Sequence, residues 1–483
     1  MRYTIQTAML VIALSCLLLS TRISARALPE YETGFQSVVQ SLWQTTIPPF
    51  YKYATGCAFT STLTDAQTEA VVFPTYANWT GTNWRALFHG FLFQEPCMSE
   101  ERIDTLSNII LSLAGVSVSD MHPAQRDHVR DASRGIFTIP KKGHVIYPHI
   151  ILPSGRTGTV ISTTDRNSVT SDIMGDFRDF FDICVDCGVF DGDRTNRIQM
   201  LKWNMSKATM APSVNYKCPN IFLVPPDHGL TFVSDVDDIL RIVKTWRPAY
   251  AIMTLIAWDF TPWLNMPNIY RYWAARWPNT HFHYLSDCPD TFSPLYLDFL
   301  NKHYPCGSFD DRAMSTVMGS RERAHRQVIE SFPKRKFVLV ADTGNPSNMI
   351  LFPKLAKEYP QITCILIRNI TVTDPSHYLH FDLREFETLD PDRYMFFNVP
   401  NDLYGIDFKR GECRKHHIHP VTPPDETDSR VTPLGAAMTT ARAWFGWKWW
   451  CMWWGDPSSD ECRLIQGAEP PWTWEQVVNQ KVT

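Results

Sequence analysis

Charge is sparse in this chain of 483 residues, where only 20% of positions are Asp, Glu, Lys or Arg and 44% are hydrophobic. So little charge on so apolar a chain excludes general disorder and leaves one or more globular domains with a sizeable core. No long basic block occurs, and 46 basic against 50 acidic residues give a formal charge of −4. The electrostatic footprint of a nucleic-acid binder is therefore missing, and no nucleic-acid partner is expected. Aromatics at 13% and 34 prolines suit a loop-rich fold of sheets and helices, not a coiled coil or collagen-like fibre. Past residue 27 no segment is apolar enough to span a membrane.

The amino-terminal segment is the exception. Arg2 precedes an apolar stretch from Ala8 to Leu19, and Ala25-Arg26-Ala27 forms a small-residue cleavage site. This pattern predicts a secretory signal peptide over residues 1–27, the alternative being an uncleaved signal anchor. Cleavage removes three arginines and no acidic residue, which moves the formal charge from −4 to −7. An exported chain meets oxidising conditions, and 11 of the 12 cysteines lie beyond the signal, so disulfides are favoured over zinc. The odd number leaves at least one thiol unpaired, and spacing does not set the connectivity. Cys184-Val185-Asp186-Cys187 reads as a structural pair, since no thioredoxin-like strand and helix surround it. Sequons at Asn78, Asn204 and Asn369 agree with export as a glycoprotein.

From residue 40 to 185 the chain reads as a β-rich module, a sandwich or partial barrel. Strands are predicted at 69–73, 85–93, 135–139, 144–152 and 158–163, with a helix over 103–113. A polar stretch, 191–213, follows. Between 215 and 410 apolar runs alternate with helical segments. Strands are predicted at 230–234, 281–285, 336–341 and 362–367, and helices near 268–276, 291–303, 321–331 and 348–358. Such alternation predicts an α/β fold whose parallel sheet has helices on both faces and its site at the carboxyl ends of the strands. The segment 411–483 is a Trp- and Cys-rich tail. Its six tryptophans between Trp444 and Trp454 either contact a membrane surface or pack over the core through Cys451 or Cys462.

The sharpest feature is Phe232-Val233-Ser234-Asp235-Val236-Asp237-Asp238, an apolar strand running into three carboxylates. Like charges this close repel unless a cation neutralises them, and a hard divalent ion with oxygen ligands, Mg²⁺, meets that need. One carboxylate can then attack an electrophile while the other shuttles a proton, a pattern that fits phosphoryl transfer. The structural alternative is a turn whose aspartates cap the next helix. Two further strand ends favour chemistry: 283–285 ends in Ser286, a hydroxyl for a phosphate oxygen, and 337–341 ends in Asp342, a further metal ligand. Arg321 or Arg323, opening a helix, offers positive charge to the phosphate.

These motifs resemble the haloacid-dehalogenase superfamily of aspartyl-phosphate phosphatases, and within it the fungal actin-patch phosphatidate phosphatases and their bacterial relatives. The resemblance rests on Val233 to Asp238, on His283 to Ser286 with Pro289, and on Phe332-Pro333 with Arg335-Lys336-Phe337. Asp342-Thr343-Gly344 and Ile365 to Arg368 add to it, and Val71 to Pro74 and Leu87 to Gly90 extend it weakly towards residue 40. It implies a Rossmann-like sheet, with Asp235 as nucleophile, Asp237 as general acid and base, Ser286 as phosphoryl holder and Arg321 in the place of a phosphate-neutralising lysine. It also implies Mg²⁺ on the Asp235 side chain, the Asp237 backbone carbonyl and Asp342, and a phosphatidate-like lipid phosphate as substrate. Three positions depart from the family: Ile239 replaces Thr, a mild change, while Asn345 and Ser347 replace acidic residues and are expected to weaken the ion's hold. A catalytically weakened protein that binds phospholipid or a host surface is the competing expectation, and a different phosphomonoester the third. His416, His417 and His419 near Cys413 read as solvated more readily than as a zinc site, and His377 and His380 have no evident partner.

Overall fold

The computed structural model describes residues 68–94, 99–112, 114–136, 138–140, 145–146, 148–151, 157–161, 168–169, 176–183, 197–205, 218, 220–312, 321–374 and 383–414. The signal segment, the Trp-rich tail, the His377–His380 and His416–His419 clusters, and Cys57, Cys97, Cys184, Cys187, Cys451 and Cys462 lie outside these residues. Among the described residues no helix is long and apolar enough to cross a membrane.

Two sheets organise the chain. The first is antiparallel except for one parallel pair. It takes in β1 (Thr68–Val72), β2 (Thr75–Trp79), β3 (Trp84–Gln94), β4 (Ile139–Pro140), β6 (Pro148–Ile151), β7 (Thr157–Ile161), β9 (Asp176–Ile183), β10 (Gln199–Met205) and β11 (Ile221–Leu223). The order β3-β2-β11-β10-β6-β7-β9 returns to β3 through the β3–β9 ladder, so seven strands close a ring instead of stacking as a sandwich. Phe88, Phe177, Phe181 and Trp203 fill it, with Phe88 edge-on to Trp203 at 4.7 Å. Two short strands, β5 (Val145–Ile146) and β8 (Ser168–Val169), pair separately.

Two local expectations here are corrected. β10 runs through the stretch read as polar because only alternate side chains of Met200 to Trp203 face the barrel, with Leu201 and Trp203 buried. The strand expected over 135–139 is reduced to β4 at Ile139–Pro140, since the helix α2 (Pro123–Ile136) takes up Gly135 and Ile136. Its buried Val129, Ala132 and Ser133 follow helical spacing, but a charged face lowers its apolar content and hides it. It packs beside α1 (Glu100–Ser112), the helix expected over 103–113.

The second sheet is parallel throughout, in the order β14 (Ser308–Arg312), β13 (His281–Pro289), β12 (Leu230–Asp235), β15 (Lys336–Asp342), β16 (Ile362–Arg368) and β17 (Tyr394–Phe397). Every residue of β12 is buried, as a central parallel strand covered on both faces requires. The connecting helices are α3 (Pro248–Ile256), α4 (Met266–Arg276), α5 (Ser293–His303), α6 (Arg321–Ser331) and α7 (Pro346–Glu358). Four of these match the expected helices. α3 was not legible because it is apolar on every side and so shows no helical period. From β12 the chain proceeds to β13 and β14 on one side, then crosses to β15, β16 and β17 on the other. The switch point therefore lies between the tips of β12 and β15.

The barrel and the parallel sheet are joined at β14. The Phe309 N–H donates to the Pro74 carbonyl at 2.8 Å, and the Arg178 guanidinium of β9 grips the Asp310 carboxylate of β14 while donating to Gln327 of α6 at 2.8 Å. A disulfide between Cys218 and Cys306 ties the same region, and a second links Cys364 to Cys413.

At the amino ends of the strands Arg335 is fully buried. Its Nε donates to Thr231 Oγ1 at 2.7 Å, and its terminal nitrogens donate to the carbonyls of Pro225, His228, Leu230 and Asn279. Gly229, at φ +95°, makes room for it, because a Cβ there would lie 2.6 Å from the Asn279 oxygen and 2.8 Å from Arg335. Arg335→Met should therefore destabilise the protein by roughly 3 kcal/mol, several buried acceptors losing their donors at about 1 kcal/mol each. Arg335→Lys should recover only part of this, since one ammonium cannot span the four carbonyls. Urea unfolding of the three proteins measures both, and a loss under about 1 kcal/mol for Arg335→Met contradicts the assignment.

Candidate active site

Asp235 is the last residue of β12, Ser286 and Asp287 lie near the tip of the adjacent β13, and Asp342 ends β15 on the other side. Since β12 pairs with both neighbours, the three strand exits singled out in the sequence meet at the carboxyl edge of the sheet. They line one cleft whose empty volume, open to solvent at the mouth, is about 820 Å³. Asp237 and Arg321 line it too.

Each carboxylate has its own surroundings. Asp235 is buried; one oxygen receives the Arg321 guanidinium and the other a hydrogen bond from the Asn348 side-chain amide at 3.0 Å. Asp237 accepts from the Tyr296 hydroxyl at 2.9 and 3.0 Å and from Ser286 Oγ at 3.2 Å, with Arg241 Nε 3.6 Å away. Burial pushes Asp237 up to about 6, against the pull of Arg241 and Tyr296. Asp342 is also raised, by burial first and by the charge of Asp238 second. The Gly344 N–H donates to it at 2.6 Å.

The third carboxylate of the strand exit does something else. Asp238 adopts φ +58°, which turns its side chain away from Asp237 and back under the loop. There it accepts the backbone N–H groups of Val243, Lys244 and Thr245 at 3.0, 2.7 and 3.0 Å. Asp238 is a loop anchor, and its main-chain oxygen accepts from Arg368 at 2.6 Å.

Arg321 stands at the amino end of α6 with its guanidinium between Asp235 and Asp287, the latter at 2.7 Å. Burial lowers it to about 10, so it stays charged at neutral pH. Its Nε is buried and donates to no group among the described residues, which leaves one N–H for an anion. Arg323 is not among the residues lining the cleft.

Sequence reasoning missed Asp287 and Asn348. Asp287 was readable only as the neighbour of Ser286; Asn348 is brought to Asp235 by the first turn of α7, a contact spanning 113 residues. Asn345 caps α7 by accepting the Ser347 N–H at 3.2 Å and donates to Asp287 at 3.1 Å, while the Ser347 hydroxyl turns back onto Asn345. Cys288, at the cleft wall, forms no disulfide.

The side chains of Asp235 and Asp342 line the same cleft and offer oxygen atoms only, and a buried carboxylate held above its ordinary range gains from a nearby cation. That chemistry fits a hard divalent ion. Another cluster, His89 with Asp310 and Asp311, brings potential ligand atoms within 4.8 Å of one another. It reads as a polar cluster around the Arg178–Asp310 ion pair, because the two His89 ring nitrogens face different carboxylates, at 3.3 and 3.8 Å, and Arg178 already holds Asp310. Burial lowers His89 to about 3, so the ring is neutral.

With this geometry in hand, comparison with known proteins adds one finding of weight. Residues 230–369 match the family described as phosphatidate phosphatase APP1, catalytic domain. The matched segment runs from the start of β12 to the residue after β16 and contains Asp235, Asp237, Asp238, Asp287 and Asp342 of the cleft region as well as Asp310 and Asp311 at the barrel interface. No curated protein matches the chain. Two solved structures are similar at 10% identity: the cytochrome P450 reductase GcoB from Amycolatopsis, over 68% of each chain with a TM-score of 0.15, and a siderophore interacting protein from Acinetobacter baumannii, over 61% of this chain and 86% of that one with a TM-score of 0.14. Neither likeness carries an argument.

Asp238→Ala should strand three backbone donors and destabilise the protein by roughly 3 kcal/mol. Asp238→Asn should retain part of that, since its one carbonyl oxygen can still accept. Denaturant unfolding measures the losses, and an Asp238→Ala protein as stable as the parent refutes the anchor role.

Proposed function

Given that residues 230–369 match the catalytic-domain family of phosphatidate phosphatase APP1, we propose that the chain is a phosphoric monoester hydrolase of haloacid-dehalogenase type working on a phosphatidate-like lipid phosphate. The observation that carries the reading is the pairing of Asp235 with an arginine whose Nε is left for an anion, at the switch point of a parallel sheet.

In this mechanism the substrate phosphoryl group enters between Asp235 and Arg321, and the guanidinium moves its hydrogen bonds from the carboxylate to the phosphoryl oxygens, with Ser286 Oγ donating to another. Asp235 attacks phosphorus, the ester P–O bond breaks, and Asp237 gives its proton to the departing alkoxide. Water then attacks the aspartyl-phosphate while Asp237 takes back a proton, and alcohol and inorganic phosphate leave. The Asp235 and Asp342 side chains and the Asp237 carbonyl would hold Mg²⁺, which neutralises carboxylate and phosphoryl charge when bound. Tyr296 orients Asp237 for both transfers, while Ser286 turns its hydroxyl from Asp237 to the phosphoryl oxygen.

We also propose that the protein is exported after cleavage near Ala27, which amino-terminal sequencing of material recovered from culture medium tests.

Turnover of alkyl phosphates should require Mg²⁺, vanish on chelation and fall at least about a thousandfold in Asp235→Asn. Because Asp237 must carry its proton when the alkoxide leaves, kcat/KM for these esters should drop about tenfold per pH unit above about 6. Nitrophenyl phosphate, whose leaving group needs no proton, should lack that limb. Release of inorganic phosphate measures all of this; absence of turnover with any divalent ion rejects the enzyme in favour of a phosphate-binding protein.

A further inference from the structure

Of the four carboxylates that line the cleft, Asp287 alone has no part in the reaction described above. In a regular strand successive side chains point to opposite faces, yet Ser286, Asp287 and Cys288 all reach the cleft. The ladder between β13 and β14 loses its regular register between Leu285 and Pro289, and that irregularity brings Asp287 in beside Ser286. There Asp287 Oδ2 accepts from Arg321 Nη1 at 2.7 Å and from the Asn345 side-chain amide at 3.1 Å. Asn345 is itself fixed, its side-chain oxygen accepting the Ser347 N–H at 3.2 Å and the Ser347 hydroxyl at 2.5 Å. Arg321 thus gives one terminal nitrogen to each of two carboxylates, Nη2 to Asp235 and Nη1 to Asp287. A guanidinium that faces one carboxylate alone closes on it with two parallel hydrogen bonds, the strongest form such a pair takes.

We propose that Asp287 is a positioning residue that holds one arm of Arg321 away from Asp235, so that an arriving phosphoryl group displaces Nη2 from Asp235 while Nη1 stays on Asp287. The inference rests on the phosphatase reading of the same cleft and gives a role to the carboxylate that reading leaves without one. Lacking Asp287, the guanidinium would close on Asp235 with two nitrogens. The anion would then compete with a bidentate pair for the arginine, and the nucleophile would stay masked. Asn345 supports the arrangement because its amide donates to Asp287, whereas an acidic side chain in its place would repel it.

The test is Asp287→Asn, which keeps the shape and removes the charge, made alone and together with Arg321→Met in the full chain with Mg²⁺. Calorimetry follows the binding of inorganic phosphate, and nitrophenyl phosphate reports turnover. Asp287→Asn should weaken phosphate binding and lower kcat/KM about tenfold each, the worth of one charge-assisted hydrogen bond, and change neither by more than about twofold once residue 321 carries no charge. A loss of equal size in both backgrounds, no loss in either, or tighter phosphate binding by Asp287→Asn overturns the positioning role, since none of these acts through Arg321. Where Arg321→Met binds too weakly to measure, a crystal structure of Asp287→Asn decides: two Arg321 nitrogens on Asp235 support the role, and an unmoved guanidinium overturns it. Turnover by the parent with a flat Asp287→Asn response leaves the phosphatase standing without this role. Phosphate binding without turnover rejects catalysis, and the binding series still decides the role; a parent that binds no phosphate overturns both.

Discussion

Negative charge gathered at the tips of adjacent buried strands is the constraint on which the rest of this molecule depends. Asp235, Asp237 and Asp342 approach one cleft from a sheet whose interior offers no water to screen them, so each must be neutralised, protonated or paired. Arg321 answers for Asp235, the tyrosine and serine hydroxyls for Asp237, and Asp342 stays raised by its burial. On the proposed reading a cation and an anionic substrate together would complete that charge balance.

Position in that site is set from far away. Arg321 begins α6, and the same helix is held at Gln327 by Arg178 of the barrel, which also grips Asp310 on β14. The barrel therefore steadies the helix that presents Arg321, although none of its described side chains lines the cleft. At the opposite edge of the sheet Arg335 and Gly229 fix the start of β12, whose far end is Asp235. A shift of either anchor would be transmitted along a strand buried on both faces, since such interiors do not deform gradually.

Much of this was readable in one dimension. The strands ending in Asp235, Ser286 and Asp342 announce themselves as apolar runs meeting polar residues, and their helices α4 to α7 follow the expected spacing. The barrel was only half readable. Its closing strand β9 and the pair β10 and β11 are short or alternating, and ring closure is a matter of which strands hydrogen-bond, a relation no local pattern contains. Asp238 was grouped with its neighbours as a cleft carboxylate; its left-handed backbone sends it into the loop instead. Asn345 and Ser347 looked like losses from an ion site, and in the fold the first caps a helix and steadies Asp287.

The sequence alone determined the residue types at the ends of the strands and the alternation that makes them neighbours in a parallel sheet, because burial of apolar runs and like-charge repulsion act over a few residues. Tertiary structure decided the rest: that Asn348 meets Asp235, that Arg321 lines the cleft and Arg323 does not, that the uncharged α3 lines the same cleft as the carboxylates, and that a barrel braces α6. Those contacts join residues separated by tens to more than a hundred positions, and only the packing of complete elements brings such groups within hydrogen-bonding range.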